Sequence, residues 1–296
     1  MESIEQLRQV TRSRLQQLIT SRSLYASPFE YLKRLEYEIG VFDSSGYADV
    51  ILIISDYIRW AKSNGIIVGP GRGSAAGSLV VYLSGITTID PLRYGLIFER
   101  FLNPDRVSLP DIDTDFSDRD SVIAYIRDKY GPNRVSKVGV PSLYKPRSAI
   151  DELSKAFGLT FKDTKTITKL IDNAKTFEEA FKNEPGLLKS QKQYPQMFEM
   201  AHRLLGYVRQ ITTHPSAVIL SRGPIGAEIP LQKPPGQSTD GQLATGWDGE
   251  ELDNLGYVKL DILTVDNLSI VGKSISLIKE RHGVDIDFYD LPLRDE

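Results

Sequence analysis

The heptapeptide Pro110-Asp111-Ile112-Asp113-Thr114-Asp115-Phe116 constrains this chain more than any other feature, because it sets three carboxylates at alternate positions of a predicted strand. Successive side chains on a strand point to opposite faces, so Asp111, Asp113 and Asp115 share one face and Ile112, Thr114 and Phe116 take the other. Like charges at that spacing repel, and burying one face without a partner is costly. A divalent metal resolves the conflict. Mg²⁺ prefers one or two carboxylates plus substrate phosphates, and paired metals of that kind drive in-line attack at phosphorus. Taken alone, the motif also reads as a solvated acidic loop or a calcium site.

A second segment tips that balance. Val68-Gly69-Pro70-Gly71-Arg72-Gly73-Ser74-Ala75-Ala76-Gly77-Ser78 precedes the apolar run Leu79-Val80-Val81-Tyr82-Leu83. Glycines before a helix let backbone approach a ligand, and the free N–H groups of the first helical turn attract phosphate. Ser74 is placed to act as a helix cap or phosphate ligand, and Arg72 as a cation on a triphosphate. The segment lacks the Gly-Lys-Ser/Thr ending of a Walker A loop and the Gly-x-Gly-x-x-Gly of a dinucleotide fold; by itself, a glycine-rich turn is usually only a turn.

The third element lies far downstream, at Gly256-Tyr257-Val258-Lys259-Leu260-Asp261-Ile262-Leu263. Strand alternation puts Lys259 and Asp261 on one face and Val258, Leu260 and Ile262 on the other, so a cation and a carboxylate project together. A salt bridge at a buried edge is the plain alternative. Two carboxylates on one strand and a third on a neighbour would hold two metals, one activating an attacking hydroxyl and one stabilising the leaving group.

In this order, Gly69-Pro70-Gly71-Arg72-Gly73-Ser74-Ala75-Ala76-Gly77-Ser78, Phe98-Glu99-Arg100-Phe101-Leu102-Asn103-Pro104 and Pro110-Asp111-Ile112-Asp113 resemble the C-family replicative DNA polymerases, the family of the bacterial DNA polymerase III alpha subunit. Tyr57-Ile58-Arg59-Trp60-Ala61-Lys62, Thr213-His214-Pro215-Ser216-Ala217-Val218-Ile219 and Val258-Lys259-Leu260-Asp261 extend the resemblance over most of the chain from about residue 28 onward. The resemblance implies an α/β (α+β) fold: a polymerase-beta-like nucleotidyltransferase palm with a mixed sheet and an inserted helical thumb. It implies that Asp111, Asp113 and Asp261 bind two Mg²⁺ ions, with Asp115 in support, and that Gly73 and Ser74 bind the triphosphate. Arg72, Arg100 and Lys259 fall where the family places cations near the nucleotide. The implied partners are primer–template DNA and deoxynucleoside triphosphates. Family members are far longer, with a histidine-rich PHP domain before the palm and fingers after it. This chain has three histidines, His202, His214 and His282, and no cluster resembling a PHP metal site. The expectation is a palm and thumb whose fingers come from another segment or a second chain.

The 296 residues allow one large or two modest domains. A balance of 36 basic and 39 acidic residues, net −3, is not that of a general nucleic-acid binder, although a metal-dependent polymerase gathers acid at its centre and base along its groove. The absence of cysteine excludes disulfides, zinc–thiolate sites and thiol catalysis and suits a reducing cytoplasm. The longest apolar run, Val50-Ile51-Leu52-Ile53-Ile54, is too short to span a bilayer, so no membrane partner is expected.

Hydrophobic spacing predicts helices over residues 3–20, 28–41, 46–64, 118–130 and 265–281, a helical stretch from Asp90-Pro91 to Phe101, and strands at 135–140, 217–220 and 284–288. Residues 143–210 change to short helices, including 147–157, 162–173 and 194–207, and form the expected thumb between palm segments 1–142 and 211–296. Its Lys145, Arg147, Lys155, Lys162, Lys165, Lys169 and Lys175 alternate with serines and threonines, which suits contact with a duplex backbone; Lys145, Arg147, Lys165 and Lys169 are the chosen DNA contacts. Surface lysines are more often just solvated. Residues 233–241 read as a loop, and His214 as a structural histidine beside a returning strand. The alternative from another class is a non-catalytic module that clamps DNA or joins a complex.

Overall fold

The computed structural model describes residues 2–103, 112–234 and 243–291, which leaves Asp111 and most of the expected 233–241 loop outside the described residues. In chain order, three helices open the fold: α1 (Glu2–Thr20), α2 (Pro28–Ser45) and α3 (Ala48–Ser63). The glycine-rich segment follows as a 3-10 turn, Gly73–Gly77, running into the short α4 (Leu79–Leu83). Then come β1 (Asp113–Phe116), α5 (Arg119–Tyr130) and β2 (Val135–Leu143). Five short helices occupy the middle: α6 (Pro146–Ala156), α7 (Phe161–Ile171), α8 (Phe177–Asn183), α9 (Leu187–Gln193) and α10 (Pro195–Leu204). The chain closes with β3 (Val208–Leu220), β4 (Leu231–Gln232), β5 (Ala244–Thr245), α11 (Gly249–Asn254), β6 (Val258–Thr264) and α12 (Asp266–His282).

The six strands form one sheet in the order β1-β6-β3-β2-β5-β4. It is mixed: β1 runs parallel to β6, and β6 antiparallel to β3. The fold is therefore of the α+β kind. The chain divides into two compact units, the first comprising Met1–Val138, His214–Leu231 and Gly249–Glu296, the second Gly139–Thr213 and Gln232–Asp248.

Local chemistry fixes the helix ends. Ser27 and Glu30 form a reciprocal capping box at the start of α2 with Pro28 in its first turn, and Gly46 ends the helix in the left-handed region at φ 73°. The core of the first unit is built from the apolar faces of α1–α5 against β1, β6 and β3. Leu7, Tyr31, Ile51, Tyr57, Phe98, Phe116 and Ile262 are all wholly buried in it. The second unit has its own smaller core, with Ile150, Phe177, Leu187, Met197 and Phe198 at its centre. No helix among the described residues is long and apolar enough to cross a membrane.

Three expected elements take another form. The stretch after Asp90-Pro91 is a series of turns, because the Asp90 carboxylate accepts from Leu92 N at 3.0 Å and Gly95 sits at φ 60°; only the 3-10 turn Phe98–Arg100 is helical. Residues 284–288 form no strand and lead into a 3-10 turn, Phe288–Asp290. The helix expected over 194–207 ends at Leu204, and β3 begins at Val208, well before the expected 217, through Ile211, Thr212 and Thr213.

Candidate active site

The register of β1 against β6 makes Asp113 the direct partner of Asp261. Paired residues on adjacent strands project to the same face, and the strands lie about 4.8 Å apart, so two carboxylates from distant parts of the sequence stand side by side. Lys259 is on the same face, as strand alternation requires, and its Nζ lies 3.1 Å from Asp261 Oδ2. Asp261 is buried, and its Oδ1 accepts from Ser216 Oγ at 3.4 Å. Asp113 and Asp115 are more open, and Arg72 reaches both, with NH1 3.0 Å from Asp115 Oδ1 and Nε 3.7 Å from Asp113 Oδ2. The carboxylate strand therefore carries cations of its own. Among the described residues no three acidic or histidine side chains converge as a ready metal cage.

The glycine segment lies along the free edge of β1. Val68 bridges Phe116 in antiparallel fashion, and Gly69 N donates to Asp115 O at 2.9 Å. A Cβ on Gly69 would meet the Asp115 Cβ at 3.0 Å, so any larger residue here would press on the carboxylate strand. Arg72, Gly73 and Ser74 are exposed. Gly73 adopts φ +63°, and a Cβ added there would meet nothing within 4 Å, so the site demands a left-handed residue but leaves space beside it.

The expectation that phosphate meets the first turn of the following helix is corrected here. The N-terminus of α4 is already taken by Glu38 of α2. Its Oε1 accepts from Leu79 N at 3.0 Å, and its Oε2 from Val80 N at 3.0 Å and Ser78 Oγ at 2.7 Å. Arg34 Nε completes the set at 2.6 Å from Oε1. Burial pushes the Glu38 pKa up, against the pull of these four donors. Within the motif, Arg72, Gly73 and Ser74 are the exposed residues, with Gly71 and Ala76 half-buried beside them.

Other groups support the strand from behind. Thr114, on the opposite face from Asp113, donates to Asp261 O at 3.0 Å, so the Tyr57 hydroxyl 3.5 Å away gives its hydrogen to Thr114. Tyr57 is fully buried on α3, and burial raises its pKa, reinforced by the Asp261 charge. His214 Nδ1 accepts from Ala217 N at 3.0 Å, which puts the hydrogen of the neutral ring on Nε2 and makes the histidine a brace for its own strand. On α11, Asp253 has a pKa raised by burial, with Lys259 pulling it down and Asp261 pushing it up, which marks a further carboxylate near that pair. Nothing in the sequence around Glu38 or Asp253 marks them, and Tyr57 opens one of the motifs that carry the resemblance without any role attached to it.

Of the remaining expected residues, Asp111 lies outside the described residues, and Arg100 is exposed on its 3-10 turn, with no ion pair to Asp113, Asp115 or Asp261 among the described residues. In the second unit, Lys145, Arg147 and Lys165 line one open basin of about 750 Å³ together with Arg209, which the sequence reading passed over. Asp151 and Asp172 also line it. Lys165 lies 3.9 Å from Asp151, and Arg209 is 3.3 Å from Glu152. Lys169 is exposed on α7 and is not part of the basin lining.

Residues 5–264 match the family described as the bacterial DNA polymerase III alpha NTPase domain. The DNA polymerase III subunit alpha of Thermus aquaticus is 40% identical over 273 residues, covering 89% of this chain and 22% of that protein. The same subunit of Aquifex aeolicus is 36% identical over 328 residues, covering 98% and 27%. That of Bacillus subtilis is 36% identical over 283 residues, covering 93% and 25%. The chain spans about a quarter of the length of these relatives.

Proposed function

This chain belongs to the bacterial DNA polymerase III alpha family, and we propose that it supplies the polymerase-beta-like palm and the helical thumb of a template-directed DNA polymerase. The observation that carries the reading is the Asp113–Asp261 register, with Lys259 beside it and the glycine segment seated against Asp115. Asp113 and Asp261, with Asp111 two positions earlier on the same expected face, are hard oxygen donors that fit Mg²⁺ and offer nothing to a soft metal. Two Mg²⁺ ions bound there would lower the pKa of a primer 3′-hydroxyl and neutralise charge on the triphosphate and the departing pyrophosphate.

The residues of the chain do the rest. Gly73 and Ser74 present backbone and hydroxyl to the triphosphate, with Arg72 and Lys259 as its cations and Arg100 as a further one. Ser216 and Lys259 hold the two oxygens of Asp261 in fixed directions, so the strand meets its ligands already oriented. The chemistry is attack of the primer 3′-hydroxyl oxygen on the α-phosphorus of a deoxynucleoside triphosphate, with pyrophosphate leaving. The basin of Lys145, Arg147, Lys165 and Arg209 contacts the duplex backbone without reading sequence, and Lys169 adds to it from α7. A fingers surface, from another segment or chain, closes over the nascent pair.

The test is primer extension with Mg²⁺, with and without a separately expressed fingers segment. Extension is expected with that segment and lost in Asp113→Asn and Asp261→Asn. Unchanged turnover in either variant ends the assignment.

A further inference from the structure

The exposed Arg72–Ser74 stretch is the short open part of a segment fastened on both sides. Ahead of it, Gly69 N is bonded to Asp115 O, and Thr88 N donates to Pro70 O at 2.8 Å. Behind it, two side chains of α2 hold every residue from Gly77 to Val80. Arg34 NH2 donates to Gly77 O at 2.9 Å and to Leu96 O at 3.3 Å, while Glu38 accepts from Ser78, Leu79 and Val80.

We propose that Glu38 is a positioning residue for the triphosphate site, fixing the exposed edge of the glycine segment through the backbone it grips. Ser78 also caps α4, accepting from Val81 N at 3.2 Å, so Glu38 is not the helix's sole cap. A wholly buried carboxylate is costly, and it is retained here among the apolar Leu79, Val80 and Val81. Its partners among the described residues are four donors, two on each oxygen, so only a carboxylate satisfies both ends. A glutamine keeps the shape but turns one amide N–H pair toward two donors. With its own anion in the α4 N-terminus, the fold closes that place to phosphate and leaves Gly73 and Ser74 as the backbone that meets a ligand. The inference rests on reading Gly73-Ser74 as the triphosphate site.

The experiment is calorimetric titration of the full chain with dGTP and Mg²⁺, well below each variant's unfolding midpoint, alongside Mn²⁺ titration without nucleotide. Glu38→Gln is expected to weaken dGTP binding about tenfold, as a buried mismatch of donors does, and to leave Mn²⁺ affinity unchanged. Arg34→Lys keeps the charge on Glu38 but loses the fork to Gly77 and Leu96, and is expected to weaken dGTP severalfold; it decides the matter if Glu38→Gln does not fold. Val122→Ala, on α5 in the same core, is the control that lowers the midpoint without changing dGTP affinity. Wild-type dGTP affinity in the folded Glu38 and Arg34 variants would overturn the positioning role, whatever their midpoints. A wild-type chain that does not bind dGTP at all, or a Gly73→Val variant that binds it equally well, would overturn the site reading and the inference together.

Discussion

Arg72→Ala should move two affinities in opposite directions. The Arg72 guanidinium is counter-ion to Asp115 at 3.0 Å and to Asp113 at 3.7 Å, with the arginine side chain 48% exposed. On the proposed reading, a metal arriving at Asp113 would compete with that charge, while a triphosphate arriving at Gly73 would recruit it. Pairs this exposed are worth about 0.5–1 kcal/mol, so removing the competitor should tighten nucleotide-free Mn²⁺ binding by about two- to fivefold. The same substitution deletes a charge-assisted hydrogen bond to phosphate worth about 1.5–3 kcal/mol, which predicts a loss of about ten- to a hundredfold in triphosphate affinity. Electron paramagnetic resonance of free Mn²⁺ reads the first quantity and calorimetry the second. The gain in metal affinity should shrink as salt rises, since a half-exposed pair is screened. Arg72→Lys, which keeps a charge without the fork, should fall between. A variant whose Mn²⁺ affinity falls or stays constant refutes the competition, because the guanidinium would then be no rival for the carboxylates.

Gly73→Val forces a β-branched residue to φ +63° and should cost about 1 kcal/mol or more in stability while weakening triphosphate binding beyond Ser74→Ala, both read by thermal unfolding and titration. Tyr57→Phe removes the donor to Thr114 without touching the open face of the site, so a loss of about 1 kcal/mol in stability is expected, measured by denaturant unfolding. Each of Lys145→Ala and Arg209→Ala should weaken duplex binding uniformly across sequences and reduce the salt slope by about one phosphate contact, measured by fluorescence anisotropy over a salt series.

What the sequence reveals and what it hides follow from how far each relation reaches along the chain. Strand alternation acts over two residues, so the shared face of Lys259 and Asp261 is legible from spacing, and the structure bears it out. Helices α1, α5 and α12 are legible from apolar spacing and caps such as Asp118, which accepts from Ser121 N. The Asp113–Asp261 pairing is not a spacing relation, since 147 residues separate the Thr114 hydroxyl from the Asp261 carbonyl that it holds; only the family resemblance anticipates it. Glu38 is missed for the same reason. Its helix is plain, but nothing local shows that a carboxylate in the middle of α2 caps another helix 40 residues on. The expected strand at 284–288 fails in the opposite way. Val284, Ile286 and Phe288 alternate correctly but find no sheet edge, and the segment is held instead by Tyr289, whose hydroxyl accepts from Val68 N at 3.0 Å.

The charge conflict that first marks this chain is offset by cations of the chain itself. Asp113 and Asp115 lean on Arg72, and Asp261 lies between Lys259 and Ser216. Each of these cations comes from a segment that the reading of function assigns to the nucleotide, so the groups that neutralise the carboxylates are those expected to bind the triphosphate. Folding and loading then use one set of charges in two arrangements. The carboxylate strand can form before any metal reaches it, because its repulsion is already offset, and the incoming metals need displace only partly exposed side chains. Asp261, more deeply buried, keeps the better-buried partners Lys259 and Ser216, and Asp113, more open, keeps the half-exposed Arg72 of the glycine segment. On the proposed reading, the division puts the better-buried half of the site on β6 and the more exposed half on the glycine segment that would meet the nucleotide.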